Sequence, residues 1–316
     1  MKLIVSHLET LRTYVTREFY FITAELISKY GWKHIEIDKL WNGPGKVREN
    51  IIKEFGELPE TILFSQAYEF LQARAADIQH LPCNKVFLAD DLHWWNQQMR
   101  HMKLISFALC DTVLATYAYT LTRFYPEIAG VKKIVWIPHA ASPDFMVPYN
   151  DRPENSILLS GAISRHYPLR QQMMDLVAQQ SYPIKSHTHP GYHVGYDYST
   201  NPNIGRGYAE TINRHRIGFT DCLTFKYVVA KYFEIPAAGA LLLAEDAVKE
   251  PLKQLGFVEN IHYVPVSKEN LEERVRYVLD EKNRAELDQV RQRAHDLVWE
   301  RHTTSHRAGQ INEACR

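Results

Sequence analysis

Lys231 and Glu234 stand three residues apart in the stretch Lys226-Tyr-Val-Val-Ala-Lys-Tyr-Phe-Glu-Ile-Pro-Ala-Ala-Gly239, which runs on into Ala-Leu-Leu-Leu-Ala-Glu-Asp246. On a helix that spacing puts both side chains on one face. A carboxylate there can accept two hydroxyl donors while an ammonium balances an anion. The same spacing also describes a surface ion pair beside a helix end, which is common and weak. A second cluster is Leu158-Leu-Ser-Gly-Ala-Ile-Ser-Arg-His-Tyr-Pro-Leu-Arg170. An apolar strand, Ser-Gly161, then a loop with Arg165 and Arg170 leading into a helix can form an anion cradle from amides and guanidinium groups. An ordinary connection with solvated arginines is the alternative. A third cluster, Phe87-Leu-Ala-Asp-Asp-Leu-His-Trp-Trp95, ends an apolar strand in two carboxylates, an imidazole and two indoles. It reads either as an acid–base group or as a capping Asp with tryptophans in the core. His187-Thr-His189 and His193 resemble a metal cluster, but no Cys or carboxylate accompanies them, and no metal is expected. The long polar loop Gly191–Gly207 reads as a mobile flap or an insertion.

The elements that must position these residues alternate along the chain. Candidate strands Lys2–Ser6, His34–Asp38, Thr61–Ser65, Lys85–Ala89, Thr112–Thr116 and Lys133–Ile137 are separated by helical patterns at Arg17–Tyr30, Val47–Phe55, Ala67–His80 and Leu92–Leu109. Short strands separated by helices predict a mainly parallel sheet, which binds ligands at its carboxyl edge. Pro and Asx turn signals from Ile137 to Asn155 mark a linker. His139, in that hinge, either faces the cleft or is a buried, satisfied histidine. A second series follows. Its strands are Ser156–Ser160, Ile184–His187, Ile217–Thr220, Ala240–Ala244 and His262–Val264. Its helices are Leu169–Gln179, Tyr208–His215, Tyr227–Ala237 and a short one near Val248–Leu255. Glu269–Asp280 and Asn283–Arg301 close it as amphipathic helices. The expectation is an α/β protein of two doubly wound domains, 1–148 and 149–316, facing across a cleft, with the last helix free to pack back on the N-terminal domain.

Composition narrows the class. The 316 residues suit two domains, and 45% hydrophobic with 23% charged residues is a globular balance. Lys plus Arg and Asp plus Glu number 37 each, so no global field attracts nucleic acid or an anionic membrane. Four scattered cysteines read as reduced thiols. The opening MKLIVSHLETLRTYV is too short an apolar run for a signal peptide, and no stretch approaches the ~20 apolar residues of a span. A cytoplasmic location without a membrane span is therefore expected.

Phe-Glu-Ile-Pro-Ala-Ala-Gly before a Leu-Leu-Leu strand resembles the donor motif of the glycosyl transferases group 1 superfamily, in particular its spore-maturation-type branch. The tail is similar too: Tyr263-Val-Pro-Val, Glu269-Asn-Leu-Glu-Glu, Arg276-Tyr-Val-Leu-Asp-Glu and His302-Thr-Thr-Ser-His-Arg307 follow that branch's ending over residues 156–310. Over residues 1–150 the likeness is architectural only.

This resemblance implies a GT-B fold, two Rossmann-like domains across a cleft, with a nucleotide-diphosphate sugar held mainly by the C-terminal one. It implies no cofactor and no metal, and a retaining transfer to a hydroxyl of a glycan or other acceptor. Glu234 matches the ribose-binding glutamate. Lys231 matches the basic residue beside the diphosphate, with Lys226 a weaker candidate; relatives often carry Arg at 231, whose bidentate geometry Lys lacks. Gly239 lets helix turn into strand. Gly161 and Arg170 carry over to the donor cradle, as does Arg165 more weakly, and Tyr208 either stacks near the base or packs. Related transferases place a His or an acid after the strand matching 85–89. That makes Asp91 and His93, with Lys231, the catalytic candidates, and Asp90, Trp94 and Trp95 the acceptor-binding ones. Two alternatives remain: a phage-type transferase acting on modified DNA bases, and a non-catalytic nucleotide-sugar-binding protein.

Overall fold

The computed structural model describes residues 1–41 and 46–316. The chain divides into two compact units. The first contains Met1–Arg12, Phe19–Pro138 and Arg307–Arg316, and the second Thr13–Glu18 and His139–His306. Residues 139–148, placed before the boundary by their turn signals, thus group with the second unit, together with six residues from near the start of the chain.

The first unit is built on six strands: β1 (Lys2–Ser6), β2 (Lys33–Glu36), β3 (Thr61–Ser65), β4 (Asn84–Ala89), β5 (Thr112–Ala115) and β6 (Lys133–Trp136). They form one sheet in the order β2-β1-β3-β4-β5-β6, every neighbouring pair parallel. Runs such as Thr-Ile-Leu-Phe-Ser are buried at every position, as a sheet covered on both faces demands. Ile4, Leu63, Val86, Leu88 and Leu114 form the core on one face, packed with Phe19, Ile22 and Leu26 and with Ala308, Ile311 and Cys315. Two helical patterns are shorter than their apolar spacing suggested. Ala67–His80 breaks at Arg74 into Tyr68–Ala73 and Ala75–Ile78. The pattern at Leu92 becomes helix only at Gln97, because Asn96 caps that helix by accepting the Met99 N–H at 2.8 Å.

The second unit contains β7 (Glu154–Leu159), β8 (Ile184–Ser186), β9 (His215–Thr220), β10 (Leu241–Glu245) and β11 (Val264–Val266). Their order is β11-β10-β9-β7-β8, again wholly parallel. Its core combines Ile157, Leu159, Ile217, Phe219, Leu241 and Leu243 with residues of the helices Pro168–Gln179, Leu271–Leu279 and Arg284–Arg301. The first strand of this unit, β7, lies inside the sheet between β8 and β9, so successive strands are laid down on opposite sides of it. The chain therefore leaves the carboxyl ends of β7 and β9 in diverging directions, at the switch point where open α/β sheets hold ligands. Among the described residues no helix is long and apolar enough to cross a membrane.

Candidate functional site

The switch point of the second unit gathers most of the polar residues singled out above. β7 runs out into Ser160 and Gly161, and β9 into Asp221. The helix Pro168–Gln179 brings Arg170 in its first turn, Gly205–Arg214 brings Tyr208, and Lys231–Ala237 begins with Lys231 and carries Glu234 in its first turn. That last helix is four residues shorter than its pattern predicted. Leu223 and Lys226 adopt positive φ, 59° and 60°, and residues 227–230 stay in an irregular turn before it.

Lys231 and Glu234 are no surface pair. Their side chains are 17% and 9% exposed, with Nζ 3.6 Å from Oε2. The Lys231 ammonium also donates to the Tyr208 hydroxyl at 3.1 Å, and that hydroxyl shares a 2.7 Å hydrogen bond with Ser160 Oγ. Burial works against the charged lysine, but Tyr208 and Glu234 outweigh it and hold its pKa above the ordinary value. Burial lifts the Glu234 carboxyl, with Glu18 adding to the rise and Lys231 and His139 opposing it. Tyr208 therefore positions Lys231, and its ring is stacked on His187 at 5.3 Å.

Arg170 is the other buried cation, 2% exposed. Its Nε lies 2.8 Å from Asp221 Oδ1, its backbone N–H donates to Oδ2 at 3.1 Å, and one terminal nitrogen donates to the Ala162 carbonyl at 3.1 Å. Its guanidinium also lies over the Tyr167 ring, 3.9 Å from the centroid. Burial raises Asp221 to about 6 against the pull of Arg170. Both cations crowd the face of Gly161 on which a side chain would stand. At φ +100° a Cβ on it would lie 2.6 Å from an Arg170 terminal nitrogen and 2.7 Å from Lys231 Cε. Only glycine lets the backbone come so close to both.

Other candidates lie elsewhere. Arg165 and Lys226 are exposed, and Arg165 donates to the His166 ring at 3.4 Å. Gly239 closes the far end of the Lys231–Ala237 helix at φ +83°, where a Cβ would meet Tyr149 at 3.2 Å and where Arg291 holds its carbonyl. In the first unit, Asp90, Asp91, His93, Trp94 and Trp95 form the loop after β4. They do not cap the following helix, a task left to Asn96. His93 Nδ1 is 3.7 Å from Asp91 Oδ1, and Trp95 is 56% exposed with its ring 4.6 Å from that of His93. Buried Lys103 organises this loop by donating to the Asp91 and His93 carbonyls at 2.5 and 2.8 Å.

Three features carried no signal in the sequence. Glu18 is 3% exposed and accepts from the Ala140 N–H at 2.8 Å, while its other oxygen lies 2.7 Å from His139 Nδ1. Arg17 pairs with Asp144 through Nε at 3.0 Å and through a second nitrogen, and stacks 3.8 Å from the Tyr198 centroid. Asp221, the partner of Arg170, is fully buried. Glu18 and His139 are 121 residues apart, so no local spacing links them. The 191–207 loop is tied down: the Tyr196 amide donates to the Thr13 carbonyl at 3.0 Å, its hydroxyl to Pro190 at 2.9 Å, and the Tyr198 hydroxyl to Tyr14. Among the described residues no group of three or more His, Cys, Asp or Glu is placed to hold a metal ion.

A family model described as glycosyl transferase-like matches residues 170–313. That span includes Arg170, Tyr208, Lys226, Lys231, Glu234 and Gly239 and leaves out Gly161 and Arg165. No curated protein sequence matches the chain. Among solved structures, a sucrose-phosphate synthase from Thermosynechococcus elongatus superimposes with a TM-score of 0.65 at 11% identity, over 99% of this chain and 97% of that one. An alpha-glucosyltransferase in complex with UDP-glucose and DNA containing an abasic site gives 0.64 at 12%, over 100% and 99%. The Anabaena protein HepE in complex with UDP and glucose gives 0.60 at 9%, over 99% of both chains. At such identities the likeness is one of fold: two α/β units with parallel sheets, the GT-B type.

Proposed function

We propose that the protein is a glycosyltransferase whose donor is a nucleoside-diphosphate sugar, UDP-linked, and whose acceptor is a hydroxyl group. The observation that carries this reading is the buried Lys231–Glu234 pair at the switch point, with Arg170 brought against the same face of Gly161 as Lys231. The UDP bound by two of the structural neighbours supports the choice of nucleotide.

In this reading Glu234 accepts the two ribose hydroxyls, and Lys231 and Arg170 face the diphosphate. As the bond between the sugar's anomeric carbon and the phosphate oxygen breaks, negative charge grows on the leaving diphosphate. Fixed cations in a half-dry site stabilise that charge without reorganising. The acceptor oxygen bonds to the anomeric carbon on the face the diphosphate leaves, and its proton passes to a departing phosphate oxygen, so configuration is retained. Because side chains supply the counter-charge, the reaction needs no metal, and activity is expected to survive EDTA. Arg165 and Lys226, exposed on their loops, are given secondary parts at the donor. Asp91 and His93 are assigned to the acceptor hydroxyl, with Asp90, Trp94 and Trp95 contacting the acceptor.

The equal numbers of acidic and basic residues provide no general field for a polyanion, so a glycan or small-molecule hydroxyl is the favoured acceptor. Salt-sensitive binding to duplex DNA would overturn that part. A thermal-shift screen against UDP, GDP, dTDP, ADP and CMP sugars tests the donor, because a specific ligand raises stability by mass action. Slow donor hydrolysis without acceptor separates an enzyme from a pure binder, which shows none.

A further inference from the structure

Asp221 follows the last residue of β9, is wholly buried, and has no part in the nucleotide contacts assigned above. Both of its oxygens are given to one residue of another element. Oδ1 lies 2.8 Å from Arg170 Nε, and Oδ2 accepts the Arg170 backbone N–H at 3.1 Å. Arg170 is the third residue of the helix Pro168–Gln179, where an amide has no partner within the helix, and Tyr167 before it supplies no side-chain cap. Asp221 caps that helix from the end of a strand. Capping needs one oxygen, which Asn, Ser or Thr supplies equally well. The second oxygen is held against the guanidinium, which it orients. The remainder of that group is fixed as well: Nη1 donates to the Ala162 carbonyl at 3.1 Å, Nη2 to Thr220 Oγ1 at 3.4 Å, and the Tyr167 ring centroid lies 3.9 Å away. Each terminal nitrogen carries two N–H groups, so each keeps one after these bonds. Nη1 is also the atom that a Cβ on Gly161 would meet at 2.6 Å, with Lys231 Cε at 2.7 Å. A nitrogen with a spare N–H is therefore held at bare backbone beside the second cation.

We infer that Asp221 is a positioning residue for the transfer reaction: without touching the substrate, it aims the Arg170 guanidinium so that a free N–H of Nη1 meets the diphosphate. The inference rests on the glycosyltransferase reading and adds to it the residue that sets one of its two cations. Titration calorimetry of UDP and of uridine into the wild-type protein, Asp221→Asn, Arg170→Gln and the double variant tests it. Asparagine keeps an oxygen for the Arg170 amide and removes the charge beside Nε. Asp221→Asn is expected to bind UDP about tenfold more weakly than wild type and uridine as before. Arg170→Gln is expected to lose at least as much for UDP, and the double variant no more than Arg170→Gln alone, because Asp221 acts only through that guanidinium. Asp221→Ser, which also keeps the cap and drops the charge, is the second variant and is expected to match Asp221→Asn. A merely structural role would weaken uridine along with UDP, or would add its loss to that of Arg170→Gln, and either outcome overturns the inference. UDP binding that Arg170→Gln weakens and both Asp221 variants leave intact overturns the inference alone. A wild-type protein that binds no UDP overturns both it and the reading beneath it.

Discussion

Replacing Gly161 by alanine subjects the geometry of the proposed donor site to two costs whose sizes follow from the structure. The first is conformational: at φ +100° an L-residue is strained by about 1–2 kcal/mol. The second is collision. The new Cβ lies 2.6 Å from an Arg170 terminal nitrogen and 2.7 Å from Lys231 Cε, so one of the cations must move. Long side chains usually yield cheaply, but these are fixed. Arg170 is held by Asp221, Ala162 and the Tyr167 ring, and Lys231 by Tyr208 and Glu234. Moving either one breaks roughly one charge-assisted hydrogen bond, about 1.5–3 kcal/mol. The sum is about 2.5–5 kcal/mol, a fall in Tm of roughly 5–20 °C for a unit of this size. Gly195→Ala is the control: at φ +84° it shares the strain, but nothing lies within 4 Å of its Cβ, so only about 1–2 kcal/mol is expected. Scanning calorimetry reads both, and UDP titration of Gly161→Ala is expected to show at least tenfold weaker binding. A Gly161→Ala protein that melts within 1 °C of Gly195→Ala and binds UDP normally would refute the claim that the two cations are locked around this glycine.

The remaining expectations concern the loops and the pH response. Because its folded pKa of about 4 lies below the ordinary histidine value, His189 adds to stability above pH 6.5 and loses that contribution as the pH falls toward 4. The wild-type Tm is therefore expected to drop more steeply than that of His189→Gln between pH 7 and pH 4; parallel curves would count against it. Arg17→Ala removes the partner of Asp144 and the cation over Tyr198, so chymotrypsin is expected to cut between residues 191 and 207 faster than in wild type. Equal cleavage rates would show that the loop is held by other contacts. Lys103→Met takes two hydrogen bonds from the Asp91 and His93 carbonyls, and is expected to lower transfer rate at least tenfold with UDP affinity unchanged. A parallel loss of UDP affinity would argue against an acceptor role for that loop.

The strands were legible because parallel sheets bury both faces, so Leu-Leu-Leu-Ala before Glu245 and Thr-Ile-Leu-Phe-Ser announce themselves without help from the rest of the chain. Helix starts were less so. The pattern at Tyr227 continues smoothly into Lys231, and nothing local reveals that Leu223 and Lys226 turn with positive φ and hold residues 227–230 out of the helix. The capping residue weighed in the sequence was an Asp of Asp90-Asp91, whereas Asn96 takes that part, and the apolar residues before it extended the apparent helix back to Leu92. Lys231, Glu234, Gly161, Arg170 and Tyr208 were singled out from their motifs and the resemblance those motifs carry, and the structure brings these five side by side at one sheet edge. What the sequence hid were long-range partners. Asp221 gives no sign that it neutralises Arg170, and the Glu18–His139 pair joins segments that lie far apart in the chain. Arg17 and Glu18, embedded in the first half of the sequence, group with the second unit because their partners Asp144, His139 and Ala140 lie there.

The most direct test replaces Glu234 by glutamine, which keeps the shape of the side chain and removes the charge that would accept two hydroxyl donors. Titration of UDP into the wild-type and Glu234→Gln proteins, both checked for an unchanged melting profile, is expected to show an affinity at least thirtyfold lower for the variant, equivalent to about 2 kcal/mol. Equal affinities for the two proteins would contradict the placement of the nucleotide at this sheet edge.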